Sequence, residues 1–306
     1  MIGRCLDSLL EGTLPGELDI IVVPNGCTDD TAAIARTRRD VRVIELAEAG
    51  KALALNTGDA AATTFPRVYL DADVVLTRGA LGELADSLEA GAPQVLAAMP
   101  RRSLVTTGRT LPVRAYYAIN SRMPVFDDAL FGRGTMVLSE AGRARFGTFP
   151  DQMADDLFLD SLFSSAEKRQ SPTATAFVQT PVRTRDLIRT LARVRAGNVR
   201  LRATHTGIRE TKRSSWLRDV VLPRPRLIPA AVFYVGITLI AAVRRAGSVR
   251  AAGAATTPPA DRLRPSGRSL NHPPCCFGIQ APKPLGCHFL AASACSVGMS
   301  SASSAA

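Results

Sequence analysis

The sequence predicts an α/β fold: a doubly wound, mostly parallel sheet with helices on both faces. Three observations predict it. Leu18–Val23 and Arg67–Leu70 are apolar runs of strand length without alternation, the pattern of strands buried on both faces. Segments of helical periodicity fall between such runs at short spacing. Two carboxylates, Asp71 and Asp73, sit just beyond the second run, where open α/β sheets collect their ligands.

The elements follow in order. Residues 3–11 form a helix with Cys5, Leu6, Leu9 and Leu10 on its apolar side. The strand Leu18–Val23 is broken by Pro24-Asn-Gly26, and Thr28 caps a helix reaching about Arg39, with Asp29 and Asp30 favoured in its first turn by the helix dipole. A strand over Val41–Leu46 and a helix over Lys51–Ala62 precede the strand that ends at Asp71. A helix over Ala80–Glu89 and a strand over Val95–Met99 complete the regular part. Beyond it, Val113–Ile119 carries aromatics, Gly132-Arg-Gly134 leads into a strand over Thr135–Leu138, and Phe146–Pro150 is a turn. A helix over Asp155–Phe163, a strand over Thr173–Thr180 and a basic helix over Thr184–Arg195 close this stretch.

Charge divides the 306 residues. Residues 1–180 carry 18 Lys/Arg against 23 Asp/Glu, whereas 181–250 carry 16 against 3. The basic excess suits anionic lipid or a diphosphate. Nucleic acid is the weakest partner, because interleaved aromatics and a nucleic-acid motif are both missing. Leu227–Val243 is an uncharged run flanked by Arg224, Arg226, Arg244 and Arg245, at the short limit for a membrane span and equally suited to a buried or interfacial helix. The expected organisation is a catalytic domain over 1–205, a basic and hydrophobic membrane-associating segment over 206–246, and a disordered low-complexity tail over 247–306. Six cysteines without Cys-x-x-Cys or His spacing predict reduced thiols and no structural metal.

Two carboxylates on successive same-side positions suit a hard divalent cation that keeps waters and bridges a diphosphate; the plain alternative is an Asp-rich turn. Asp155 and Asp156 open a helix, which dipole stabilisation alone would explain.

Four segments in register raise these readings. Ile21-Val-Val-Pro-Asn-Gly-Cys-Thr-Asp-Asp-Thr31, Gly50-Lys-Ala-Leu-Ala-Leu-Asn-Thr-Gly58, Leu70-Asp-Ala-Asp73 and Ala154-Asp-Asp-Leu-Phe158 together resemble the nucleotide-sugar-dependent glycosyltransferases of family 2, whose Rossmann-like fold is called GT-A. The resemblance covers about residues 3–200. It implies that Asp71 and Asp73 hold Mg²⁺ or Mn²⁺ with the donor diphosphate, Asp73 as direct ligand and Asp71 also toward the ribose. Asn25 would lie against the base, and Lys51 and Asn56 near the nucleoside and sugar. Asp156 would be the general base of an inverting transfer and Asp155 its partner. Arg193 and Arg195 of the basic helix would cap the diphosphate.

The implied partners are a nucleoside diphosphate sugar, a glycan or lipid-linked acceptor and the inner face of the membrane, with a cytoplasmic site of action and a cell-envelope glycan as product. Without a Gln-x-x-Arg-Trp signature, transfer of one sugar per encounter is expected. The family's opening strand, roughly Val-Ile-Pro-Ala-Tyr-Asn-Glu, is not found ahead of the first helix, and Pro24 replaces the usual first Asp of the base-binding turn. The expectation is therefore an N-terminally truncated sheet lacking its first, central strand, with unpaired edges in the middle. Two other readings stand beside the enzyme: an inactive nucleotide-binding remnant, and a membrane-surface interaction protein.

Overall fold

The computed structural model describes residues 1–151, 154–204, 214–254 and 276–280, with 245–254 and 276–280 described at the level of the backbone. Its helices are α1 (Ile2–Leu10), α2 (Thr31–Arg36), α3 (Lys51–Ala61), α4 (Ala80–Glu89), α5 (Leu111–Asn120), α6 (Glu140–Arg143), α7 (Asp155–Ser161), α8 (Thr184–Thr204) and α9 (Ile228–Ala254). Its strands are β1 (Asp19–Val23), β2 (Val41–Val43), β3 (Arg67–Leu70), β4 (Val75–Leu76), β5 (Ala97–Val105), β6 (Thr135–Leu138), β7 (Lys168–Gln179) and β8 (Cys276–Gln280). They form one sheet in the order β2-β1-β8-β3-β6-β5-β7-β4.

The unbroken apolar runs do what both-face burial demands. Ile20, Val22, Val68 and Leu70 point into a core shared with α1 and α4, while Ile21, Val23 and Tyr69 point into a core shared with α3 and α7. The α/β layering thus holds. The strand directions do not follow the expected parallel majority: among the described strands two neighbouring pairs are parallel (β1 with β2, β5 with β7) and five antiparallel. The reason is insertion. β6 lies antiparallel between β3 and β5, and β8 antiparallel between β1 and β3.

β8 also corrects the expectation of unpaired edges at the sheet centre. Backbone donors and acceptors of two central strands need partners. Cys276–Gln280, placed by the sequence reading in a disordered tail, provides them along all of β1 and at Val68 and Tyr69 of β3. The rest of the expected tail, 255–275 and 281–306, lies outside the described residues. Cys27 is disulfide-bonded, against the expectation of reduced thiols, whereas Cys5 is a free, buried thiol.

The expected boundary at residue 205 is not a break in packing. Ile237 and Ala241 of α9 pack with Val113 and Tyr116 of α5 and Leu187 and Ile188 of α8. Ala231 joins Ile119, Val220 and Val221. α8 runs to Thr204, nine residues beyond the expected Arg195, because its last turns continue to bury Gly197 and Leu201. α9 is the one described helix long and apolar enough to cross a membrane, over Pro225–Arg244, yet only one of its faces is covered. Ile228, Val232, Leu239 and Val243 are exposed on the other.

Candidate active site

β1 and β3 run in the same direction, so their C-terminal ends share one edge of the sheet, and antiparallel β6 begins there. The turns and helix starts that carry Asn25, Lys51, Asp71, Asp73, Asp155 and Asp156 meet at this edge. Asn25 follows β1 and is fully buried; its side-chain oxygen accepts from the backbone N–H of Gly50 at 2.8 Å, tying the base-side turn to the start of α3. Asn25 thereby serves as a latch between two loops.

Lys51, the first residue of α3, reaches across the edge. Its Nζ lies 3.1 Å from Asp71 Oδ1 and 3.0 Å from Asp155 Oδ2, so one ammonium joins the carboxylate after β3 to the carboxylate that opens α7. Burial pushes the Asp71 carboxyl up to about 7, with Asp73 and Asp155 adding repulsion and Lys51 opposing them. Asp73 is raised as well, chiefly by burial.

Asp156 is held by backbone on both oxygens. Oδ1 accepts from Leu157 N at 2.8 Å and Oδ2 from Gly132 N at 3.1 Å. Burial and the charge of Asp155 push its carboxyl up to about 6, against the opposing pull of Lys51 and the Gly132 N–H. An oriented carboxyl with that affinity for a proton can accept one from a hydroxyl at neutral pH. Four acidic side chains drawn from two distant parts of the chain thus surround one lysine.

The segment Gly132–Gly134 forms the wall behind them, a role the sequence reading did not assign. Asp71 N donates to Gly134 O at 2.7 Å. Gly134 has φ +61°, and a Cβ there would come within 2.6 Å of Val74 Cγ2 and 2.9 Å of Asp71 Oδ2, so only glycine fits beneath the carboxylate. The Gly-x-Gly before a strand was the available signal. Arg133 between them is buried and donates to the carbonyls of Pro100, Phe126, Asp127 and Ala129, fixing the loop's path. Asp59 is the second residue overlooked: buried, it accepts from Arg67, Tyr69 and Arg143 and so locks α3, β3 and α6 together.

The remaining predicted residues stand apart from this cluster. Asn56 spends its amide on the backbone of Phe149, donating to its carbonyl at 3.0 Å and accepting from its N–H at 2.7 Å, which pins the loop before α7. Arg195 donates to Thr238 O at 2.7 Å and thereby fastens α8 to α9; Arg193 is exposed on α8. Among the described residues, no group of three or more His, Cys, Asp or Glu is arranged to hold an ion. Asp71 and Asp73 fit a metal whose other ligands come from a substrate: they are two hard oxygen donors, close enough that the charge of Asp73 raises the proton affinity of Asp71.

Residues 1–140 match the profile described as Glycosyl transferase family 2. No curated protein matches the chain. Among solved structures, the chain is similar to Staphylococcus aureus TarS 1-349, at 18% identity and TM-score 0.44 over 67% of this chain and 63% of that one. The same TarS fragment in complex with UDP-GlcNAc aligns at 17% identity and TM-score 0.42, covering 67% of this chain and 64% of that one. Glucosyl-3-phosphoglycerate synthase from Mycobacterium tuberculosis, in complex with Mn²⁺, UDP and glucosyl-3-phosphoglycerate, aligns at 19% identity and TM-score 0.44, over 66% of this chain and 74% of that one. The chain spans under two thirds of the length of the TarS structures it matches.

Proposed function

We propose, from the match of residues 1–140 to the profile described as Glycosyl transferase family 2, that this protein moves a single sugar from a nucleoside diphosphate sugar to an acceptor hydroxyl, with inversion. One observation carries the reading: Lys51 draws the carboxylate after β3 and the acidic pair of α7 into a single cluster at the ligand-binding edge of the sheet.

Asp71 and Asp73 are the residues that would hold Mg²⁺ or Mn²⁺. When bound, the ion would offset the charge of the departing diphosphate. Asp156 takes the proton of the acceptor hydroxyl as its oxygen bonds to the anomeric carbon. The bond from that carbon to the diphosphate breaks with its electron pair going to the leaving phosphate. Displacement from the face opposite the leaving group inverts the anomeric centre. Lys51 pairs with Asp155 and offsets part of the repulsion that Asp155 exerts on Asp156. Backbone N–H groups on both oxygens of Asp156 set its direction without a second side chain.

The ligands named for the similar structures, UDP, UDP-GlcNAc and Mn²⁺, supply the probes. The test is calorimetric titration with UDP in Mn²⁺ and in EDTA, for the native protein and for Asp73→Asn. Metal-dependent binding that Asp73→Asn abolishes supports the reading; equal binding in both buffers defeats it.

We also propose that the protein works at an anionic membrane surface on the cytoplasmic side. The exposed apolar face of α9, flanked by the exposed Arg224, Arg226 and Arg244, supports seating in the interface by one face.

A further inference from the structure

We propose that Arg102 binds a phosphate-class anion carried by the glycosyl acceptor, so that the acceptor is a phosphorylated molecule. The inference rests on the transfer reading above and names its acceptor.

Arg102 lies on β5, half-buried, with its guanidinium 3.7 Å over the ring of Phe126. Among the described residues its one hydrogen bond is long, from Nη2 to Asn120 O at 3.4 Å, and no carboxylate pairs with it. Arg133 repels it, and its other electrostatic neighbours are Tyr117 and Tyr116, whose hydroxyls are neutral at ordinary pH. Comparable arginines here are treated differently: Arg67 and Arg143 share Asp59, and Arg133 is saturated by backbone carbonyls. A guanidinium withdrawn from water without a counter-ion is costly, and such groups in folded proteins are paired or await a ligand. Five donors in a planar fork match a phosphate.

Its position says which substrate would bring that phosphate. Gly132 has φ +73°, and a Cβ built on it would lie 3.4 Å from Arg102 Nη1 and 3.3 Å from Phe126 Cε1. The N–H of the same glycine donates to Asp156 Oδ2. A single residue without a side chain therefore separates Arg102 from the general base, and a side chain at 132 would close the gap. No contact joins Arg102 to Lys51, Asp71 or Asp73. A molecule whose hydroxyl faces Asp156 can extend a second group over Gly132 to the guanidinium, whereas the donor diphosphate belongs with the carboxylates after β3.

The experiment is calorimetric titration of the full chain, saturated with UDP and Mg²⁺, using glycerol 3-phosphate and, as neutral control, glycerol. The native protein should bind glycerol 3-phosphate and not glycerol. Arg102→Gln should weaken that binding about 10–100-fold, the range of a hydrogen-bonded charge, and Arg102→Lys should weaken it less. Melting temperature separates this role from a purely structural one: Arg102→Gln should melt at or above the native temperature, because it removes an unpaired cation, whereas loss of a structural clip would lower it. Vesicles containing phosphatidic acid, titrated in parallel, show whether the phosphate belongs to a lipid or a soluble acceptor; Arg102-dependent binding of either supports the site. Equal affinity in the native protein and Arg102→Gln would overturn the proposal. So would displacement of UDP by glycerol 3-phosphate. Native protein that binds glycerol 3-phosphate through Arg102 but fails to bind UDP would remove the acceptor assignment together with the transfer reading.

Discussion

Lys51 and Asp155 form an ion pair of 3.0 Å between the first residue of α3 and the first residue of α7, and the same ammonium holds Asp71 at 3.1 Å. One cation thus balances several carboxylates in a half-buried corner, and its removal has consequences for both stability and pH.

Lys51→Met should destabilise the metal-free protein by on the order of 2–3 kcal/mol at pH 8, because breaking a shielded ion pair leaves its partners uncompensated. The sign of the pH dependence follows from Asp71, whose carboxyl is raised to about 7 in the fold. An acid with a raised affinity binds more protons folded than unfolded, so its contribution is present below about pH 4 and is lost as pH rises toward 7. Urea denaturation in EDTA should therefore show the Lys51→Met deficit growing between pH 5 and pH 8. Asp71→Asn should stabilise the protein at pH 8 by on the order of 1 kcal/mol while eliminating metal-dependent nucleotide binding. A pH-independent deficit would refute the charge account.

Asp156→Asn should lower turnover about 10²–10⁴-fold and leave UDP affinity nearly unchanged, as loss of a general base does. In the native protein, the proposed turnover should rise with pH through about 6, where the carboxyl gives up its proton. Asp155→Asn should be milder. Proton NMR of the product fixes the stereochemistry: a product that keeps the donor's anomeric configuration contradicts the assignment.

Asp59→Ala should be the most destabilising change outside the site, by about 3–5 kcal/mol, since it strands Arg67 and Arg143 without their shared counter-ion and leaves the Tyr69 hydroxyl without its acceptor. Asp59→Asn should cost less. Chemical denaturation measures both, and UDP affinity of the folded fraction should be unaffected, because Asp59 lies at the opposite end of α3 from Lys51.

Leu239→Glu and Val243→Glu, at positions 60% and 72% exposed on α9, should leave the melting temperature within a degree or two. The same pair should abolish flotation with phosphatidylserine vesicles, by removing apolar contact and adding repulsion from the headgroups. Undiminished flotation would show that this face is not the one that meets lipid.

By itself, the sequence determined those features that depend on local pattern. The apolar run of β1 specified a strand buried on both faces, with Ile20 and Ile21 sent into separate cores by the period of two. Chain order and residue type also marked Asp71, Asp73, Asp155 and Asp156, because carboxylates at a strand end and a helix start are visible as spacing. Only the tertiary structure decided what those groups touch. That one lysine faces both acidic sets depends on where α3 and α7 land on the sheet, and this is settled by packing between residues far apart in the chain. Strand direction escaped the pattern for the same reason: both-face burial looks alike in a parallel and an antiparallel neighbour, so the insertions of β6 and β8 left no local trace. Asn56 and Arg195 carry polar groups suited to a ligand, yet backbone carbonyls reached them first. Arg102 is the converse case: an ordinary arginine within a strand sequence, made conspicuous by a fold that withdraws it from water and brings it no anion.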